Sequence, residues 1–315
     1  MNTVKRYTIW GQRLVSLGLI VYLLKFQIDI GELGSTIINA DIRILLIGYF
    51  FLSLSIIISA FRWRAILKYD GQAVDILTLT ELYYIGQFYN MTLPGSLGGD
   101  AIKAYKTADQ GQDSGKLAAS VPMERLGGLL ALVVMLLIGS FIAPISIRLR
   151  LLLLIVAVGV VCVCSVTATD HGRRIGEYIA STTLITNRGW SNDILNMIST
   201  FRNLRQYDFV AIILTYSLIY FGVSLLTLHS IGRAFGTILP IPFLMAVIPI
   251  VRLANQLPIS VGGLGVRESL FVYFFDLIGI SPEIAVTIGL ANYLLQAING
   301  FVGGLLELFG NLAIK

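Results

Sequence analysis

Charge is what this sequence has least of. Asp, Glu, Lys and Arg make up only 13% of its 315 residues, about half the share of an ordinary soluble domain. Apolar residues make up 56%, and the mean hydropathy is +0.81. So few charges cannot cover a water-facing surface, which excludes a soluble globular protein and reads as an all-α polytopic membrane protein. Cysteine and histidine are nearly missing as well, two of each. Cys162 and Cys164 stand two apart in an apolar run and point in different directions on a helix, which excludes a disulfide or a shared metal. His171 and His229 are isolated and read as a loop residue and a helix-end residue. No metal and no cofactor is expected. There is no Ser/His/Asp set and no carboxylate pair at a plausible pocket, so no enzyme activity is expected either. The net charge of +5 is scattered over short loops, which excludes a nucleic-acid partner and suits the positive-inside rule. A cleavable signal peptide is not expected, since the first apolar segment can direct insertion itself.

What is there is hydrophobic runs of membrane length. Six read as full spans: Ile9 to Phe26, Ile44 to Phe61, Leu117 to Ala143, Leu149 to Val166, Asp208 to Ser230 and Pro282 to Phe309. Arg62, Arg64 and Lys68 follow the second span as a cytoplasmic basic flank. Two further segments are apolar but interrupted. Ile76 to Leu93 carries Glu81, Tyr83, Tyr84, Gln87 and Asn90, ends in Leu93-Pro94-Gly95-Ser96-Leu97-Gly98-Gly99-Asp100, and leads into Ala101 to Lys116, too polar to face lipid. Ile238 to Leu257 contains Pro240, Pro242, Pro249 and Arg252 and ends in Leu257-Pro258-Ile259-Ser260-Val261-Gly262-Gly263-Leu264-Gly265, before Val266 to Ile280. Each reads as a broken helix that turns back, a re-entrant hairpin, because irregular backbone survives at membrane depth only where protein or water covers it. Residues 168–207 form a polar, cytoplasmic amphipathic connector. Ile194, Ile198, Phe201 and Leu204 recur there at helical spacing beside Arg202 and Arg205, which places a helix in the membrane interface.

The two breaks repeat one string. Leu93-Pro94-x-Ser96-x-Gly98-Gly99 matches Leu257-Pro258-x-Ser260-x-Gly262-Gly263, and the same displacement aligns Lys103 with Arg267. Within a single membrane domain, 1–315, this defines two copies, 42–143 and 206–307. Sorting Lys and Arg by side places most of them inside, with Lys25, Arg43, Arg148, Arg150 and Arg233 outside and Arg125, Arg252 and Arg267 within the membrane; Arg148 and Arg150 run against the bias. The expected protein sits in the cell membrane with cytoplasmic termini and copies of opposite orientation. Inverted repeats with broken helices mark transporters. Pro94, Gly95 and Pro258 make the breaks. Helices restarting at Gly98-Gly99 and at Gly262-Gly263 present free N–H groups and a positive dipole end, a setting for an anion. Lys103, Arg125, Arg252 and Arg267 add charge, Ser96 and Ser260 add hydroxyls, and Asp100, Glu124 and Glu268 are the carboxylates at hand to pair with them. The natural ligand within a bilayer is a lipid phosphate. The competing reading makes the breaks packing hinges with all charges paired internally. Gly300-x-x-x-Gly304 allows close helix packing, within the chain or between chains.

The strings Tyr84 to Asp100, Glu124-Arg125-Leu126-Gly127-Gly128 and Leu257 to Glu268 resemble those of the lysylphosphatidylglycerol synthase transmembrane-region family, also described as flippase-like membrane domains. The resemblance covers nearly the whole chain. It implies a lipid translocase that moves a phosphate-bearing lipid or a lipid-linked glycan between leaflets as the inverted halves rock. In the best-known members the membrane domain moves an aminoacylated phospholipid made by a separate C-terminal domain. This sequence stops at Lys315, straight after its last helix, so a synthase domain is not expected and lysyl-phosphatidylglycerol synthesis is not implied. Stand-alone members handle glycolipids, polyprenyl-phosphate sugars or other lipids. Where members often carry Asp-Arg, this chain has Glu124-Arg125, which keeps the charges. Dimer formation is implied by the resemblance. Two other readings stay open: a membrane-embedded transferase on a lipid phosphate, with Glu81, Asp100 or Glu124 as acid or base, and an accessory partner of a lipid-modifying enzyme.

Overall fold

The computed structural model describes residues 36, 38–92, 98–108, 114–168, 207–256 and 265–309. Among these residues all regular structure is helical. The helices are α1 (Ile42–Tyr69), α2 (Ile76–Thr92), α3 (Gly98–Ala108), α4 (Ser114–Ile142), α5 (Ile147–Ala168), α6 (Tyr207–Ala234), α7 (Ile241–Gln256), α8 (Val266–Asp276) and α9 (Pro282–Phe309). Four stretches are long and apolar enough to cross a membrane: Ile42–Tyr69, Met123–Ile142, Asp208–Ala234 and Pro282–Phe309. Phe50, Phe141, Ile155, Phe301 and Leu308 stand exposed along these helices and α5, as lipid-facing side chains must where the solvent is hydrocarbon. The first predicted span, the body of the connector and both break loops, with Pro94, Gly95, Ser96, Pro258, Ser260, Gly262 and Gly263, lie outside the described residues.

Local sequence explains the helix ends. Asp41 caps α1, its carboxylate accepting from the backbone N–H of Arg43 at 2.9 Å and Ile44 at 3.4 Å, which satisfies donors the first turn leaves free. Gly71 and Gly236, both at φ 75°, follow α1 and α6 in the left-handed conformation that closes a helix and that glycine adopts without strain. Their separation is close to the displacement that relates the two sequence strings.

The helices fall into two sets of four in the same order. α1 and α6 are each 28 residues long, α2 and α7 17 and 16, α3 and α8 both 11, and α4 and α9 29 and 28. Their packing partners correspond as well. α1 lies against α6, α2 against α9 and α7 against α4, while α3 bridges α2 to α4 as α8 bridges α7 to α9. This exchange of partners is what a two-fold axis relating the sets produces. α1 and α6 run antiparallel: Gly48 meets Ile231, Arg62 meets Ser217 and Tyr69 meets Phe209. Equivalent helices that pair antiparallel place the axis across them, so the two sets are inverted.

Glycines set the closest approaches. A Cβ on Gly303 would collide with the carbonyl oxygen of Tyr84, and one on Gly139 with the backbone N of Ala246. These contacts join α9 to α2 and α4 to α7. Gly139 and Gly303 are equivalent under the displacement that relates the two strings. Gly300 and Gly304 pack within the chain, against Met91 and Phe88.

One expectation needs correcting. The expected second span ends at Phe61 with Arg62 in its basic flank, but α1 runs on to Tyr69 and buries Arg62. Arg62 falls in register with Ser55, Ser59 and Ile66, all buried, whereas Arg64 and Lys68 point outward. Helical phase, not distance from the apolar run, decides which cation faces inward.

Candidate functional site

Between the two sets lies a cavity of about 480 Å³, walled by α1 to α4 and α6 to α9. Residues 52–62 of α1 and 220–228 of α6 contribute to it, and both stretches lie near mid-length of their helices. Lys103, Arg125, Arg252 and Arg267, the four predicted cations, all reach it, together with Asp100 and Glu124. Burying such charges within a membrane is expensive unless each finds a partner.

The first set offsets that cost with a network across its helices. Glu124 on α4 is its hub. One carboxylate oxygen accepts from Arg62 Nη2 at 2.6 Å and from the hydroxyl of Tyr83. The other faces Lys103 Nζ at 3.5 Å. Lys103 also meets Asp100 one turn back on α3 at 2.9 Å, and Asp100 takes two bonds from Arg125, at 2.7 and 3.1 Å. The Lys103 ammonium lies over the rings of Tyr83 at 3.9 Å and Trp63 at 5.2 Å, whose electron-rich faces attract a cation. Trp63 is pinned in turn by donating to Ser120 at 2.8 Å.

The second set is simpler. Arg267 pairs with its neighbour Glu268 at 2.5 and 3.0 Å and lies over the ring of Tyr293. Arg252 donates to the hydroxyl of Tyr220 at 2.8 Å and sits over the rings of Tyr220 and Phe221. Among the described residues no carboxylate pairs with Arg252.

Of the two expected helix starts, Gly98-Gly99 is described, while Gly262 and Gly263 lie outside the described residues. The N–H of Gly99 is given to the side-chain oxygen of Asn90 at 2.8 Å, and a Cβ there would collide with the Gly86 carbonyl. Gly99 serves the close packing of α3 on α2. In the second set Gly265, at φ 83°, gives its N–H to Glu268 at 2.7 Å. These two donors are engaged by the protein's own side chains, while Lys103, Arg125, Arg252 and Arg267 line the cavity. Gly98 opens α3.

Sequence reasoning missed Arg62, Trp63, Tyr83 and Tyr220 as members of this site. A signal for Arg62 is present in its helical register with Ser55 and Ser59. Tyr220 carries none, since it lies in a uniformly apolar span. Cys162 is a free, exposed thiol, and His229 meets the Leu239 carbonyl at 2.7 Å near the end of α6.

Comparison with known proteins places this geometry. Over 122 residues the chain is 29% identical to the UPF0104 membrane protein PH1989 of Pyrococcus horikoshii, an alignment covering 38% of this chain and 36% of that protein. The chain thus spans little more than a third of that relative's length. The model of the family described as "Lysylphosphatidylglycerol synthase TM region" matches residues 10–303. A match over nearly the whole sequence, on a membrane-spanning helical fold, makes the chain a member of the lysylphosphatidylglycerol synthase TM-region family.

Proposed function

We propose that this protein is a lipid translocase of the cell membrane, built from two inverted copies of one unit, with both termini cytoplasmic. The reading rests above all on the cavity at mid-length of the long helices, where cations from both copies converge. A lipid phosphate entering it would meet Arg252 first, the cation that no described carboxylate offsets, with Lys103, Arg125 and Arg267 nearby. The acyl chains stay among the apolar faces of the spans.

Two further observations support the proposal. α2 and α3, at 17 and 11 residues, are about 25 and 16 Å long. α7 and α8, at 16 and 11, are about 24 and 16 Å. All four are shorter than the roughly 30 Å of hydrocarbon in a bilayer, which favours hairpins that enter and return. Two of the three carboxylates that could act as acid or base in an enzyme are also engaged: both oxygens of Asp100 and both of Glu124 already face cations, and Glu81 does not line the cavity. This favours binding and passage over chemistry. The rocking bodies differ from the sequence halves, because the glycine contacts fasten α2 to α9 and α4 to α7. Movement between leaflets has to open the site around those mixed pairs.

The test is reconstitution of the purified protein into liposomes carrying a fluorescent phospholipid whose outer-leaflet fraction is quenched chemically. Protein-dependent loss of the protected fraction is expected. Arg252→Gln should slow it by about tenfold or more, the effect of removing a charge-assisted hydrogen bond from a phosphate. Rates equal to empty liposomes, or an Arg252→Gln variant as fast as the natural protein, would refute the reading.

A further inference from the structure

The ion-pair network leaves much of the cavity wall unused, and that part bears on which headgroup fits. Six carboxamides line it: Gln87 and Asn90 on α2, Asn255 and Gln256 on α7, and Asn292 and Gln296 on α9; Asn90 already accepts from the Gly99 N–H, which leaves five. Among the described residues none of the five makes a side-chain hydrogen bond, and the side-chain oxygen of Asn255 is buried without a partner. Gln256 is exposed and the other four are half-buried, opening onto the same space; the orphaned Asn255 oxygen is the one that calls for a partner, as buried polar atoms do. Their placement is ordered. Arg252, Asn255 and Gln256 share one face of α7 at spacings of three and four, and Asn292 and Gln296 stand one turn apart on α9.

Each carboxamide offers a donor and an acceptor, the complement of a hydroxyl. An ammonium offers only donors and would use half of that capacity. It would also approach a wall bearing Arg62, Lys103, Arg125, Arg252 and Arg267, whose lining carboxylates, Asp100 and Glu124, are already taken. We infer that the site selects a lipid phosphate whose headgroup is rich in hydroxyls and lacks an amine, a polyol or a sugar, and that it discriminates against amine-bearing headgroups. The phosphate sits at Arg252 and the hydroxyls spread over the amides of α7, α9 and α2. This rests on the translocase reading and narrows it.

The test uses the full chain in liposomes with four labelled probes run in parallel: phosphatidic acid, phosphatidylglycerol, phosphatidylinositol and phosphatidylethanolamine. Phosphatidylinositol and phosphatidylglycerol should cross about tenfold faster than phosphatidylethanolamine, and faster than the bare phosphate of phosphatidic acid. If phosphatidic acid crosses but the hydroxyl-rich lipids gain nothing over phosphatidylethanolamine, the selectivity is wrong and translocation stands. If no probe crosses faster than in empty liposomes, both readings fall. The double variant Asn292→Leu, Gln296→Leu should lower the ratio of phosphatidylinositol to phosphatidic acid rates about tenfold, the worth of two hydrogen bonds. An unchanged ratio in that variant would overturn the assignment to the amides.

Discussion

The two inverted sets share helix order, lengths and packing partners, yet they treat their charges differently. In the first, Arg62, Lys103, Asp100, Glu124 and Arg125 form one network over α1, α3 and α4. In the second, the corresponding carboxylate is gone. Ile288 stands where the repeat would place the counterpart of Glu124, and Arg267 falls back on the residue beside it. One set uses its charges to tie helices together. The other keeps a guanidinium, Arg252, on aromatic faces with no described carboxylate against it. Shape is retained by backbone contacts at glycine, which tolerate little change, while side-chain electrostatics are free to divide labour between structure and ligand.

The sharpest way to break this contrast is to remove its hub. Glu124→Gln leaves Arg62 and Lys103 buried without their shared carboxylate and should cost about 3–5 kcal/mol, read as a large drop in thermal stability in detergent. Glu268→Gln leaves one buried cation, Arg267, without its carboxylate where Glu124→Gln leaves two, so it should cost less, about 3 kcal/mol, the low end of the same range. Equal losses would mean that the second set is cross-braced as heavily as the first.

Arg252 gives the complementary result. Because no described carboxylate is orphaned when it goes, Arg252→Gln should move stability by less than about 1 kcal/mol while reducing phosphate binding by roughly ten- to a hundredfold. Isothermal titration with a short-chain phosphatidic acid and a melting curve on the same sample measure both. Lys103→Gln should do the reverse, with a stability loss that outweighs its effect on binding.

The shared shape is tested at Gly139 and Gly303. Valine at either would drive a side chain into the backbone of the facing helix, at Ala246 or at Tyr84. Overpacking of this kind costs about 1–3 kcal/mol. The two variants should lose similar amounts of folded protein on size-exclusion chromatography. A tolerant site in one copy and an intolerant one in the other would show that the axis does not hold at these contacts.

The legibility of this molecule in its sequence follows the same division. Paired Pro-Gly-Gly strings and matching apolar runs reveal the helix order, because glycine at a backbone contact and proline at a break leave few substitutes. Lys103 and Arg267 can be aligned because they follow those strings at a fixed distance. Arg62 reads wrongly because an arginine just past an apolar run is, in most membrane proteins, a flank residue. Only the phase of Ser55 and Ser59 shows otherwise. Tyr83, Trp63 and Tyr220 are illegible because aromatic residues in a span are ordinary, and their role depends on which helix arrives opposite. The carboxamides are equally silent: Gln87 and Gln296 belong to opposite copies and share a site only through the cavity.

The smallest expected effect concerns an ion pair that links α3 to α9. Lys106 on α3 meets Glu307 at 2.7 Å, and Tyr89 donates to the same carboxylate at 3.4 Å. In the second set the positions equivalent to this pair hold Leu270 and Ala143, so the link has no twin. Both side chains keep about a quarter of their surface exposed, 27% and 24%. A pair so placed is screened and loses side-chain freedom, so its coupling in a Lys106→Ala, Glu307→Gln double-mutant cycle should be below about 1 kcal/mol. It should shrink further in high salt. A weak link leaves the joining of α2 to α9 to the glycine contacts at Gly300, Gly303 and Gly304. A salt-independent coupling of about 3 kcal/mol or more would instead make the pair a second clamp, holding α3 to α9 as firmly as the glycine contacts hold α2.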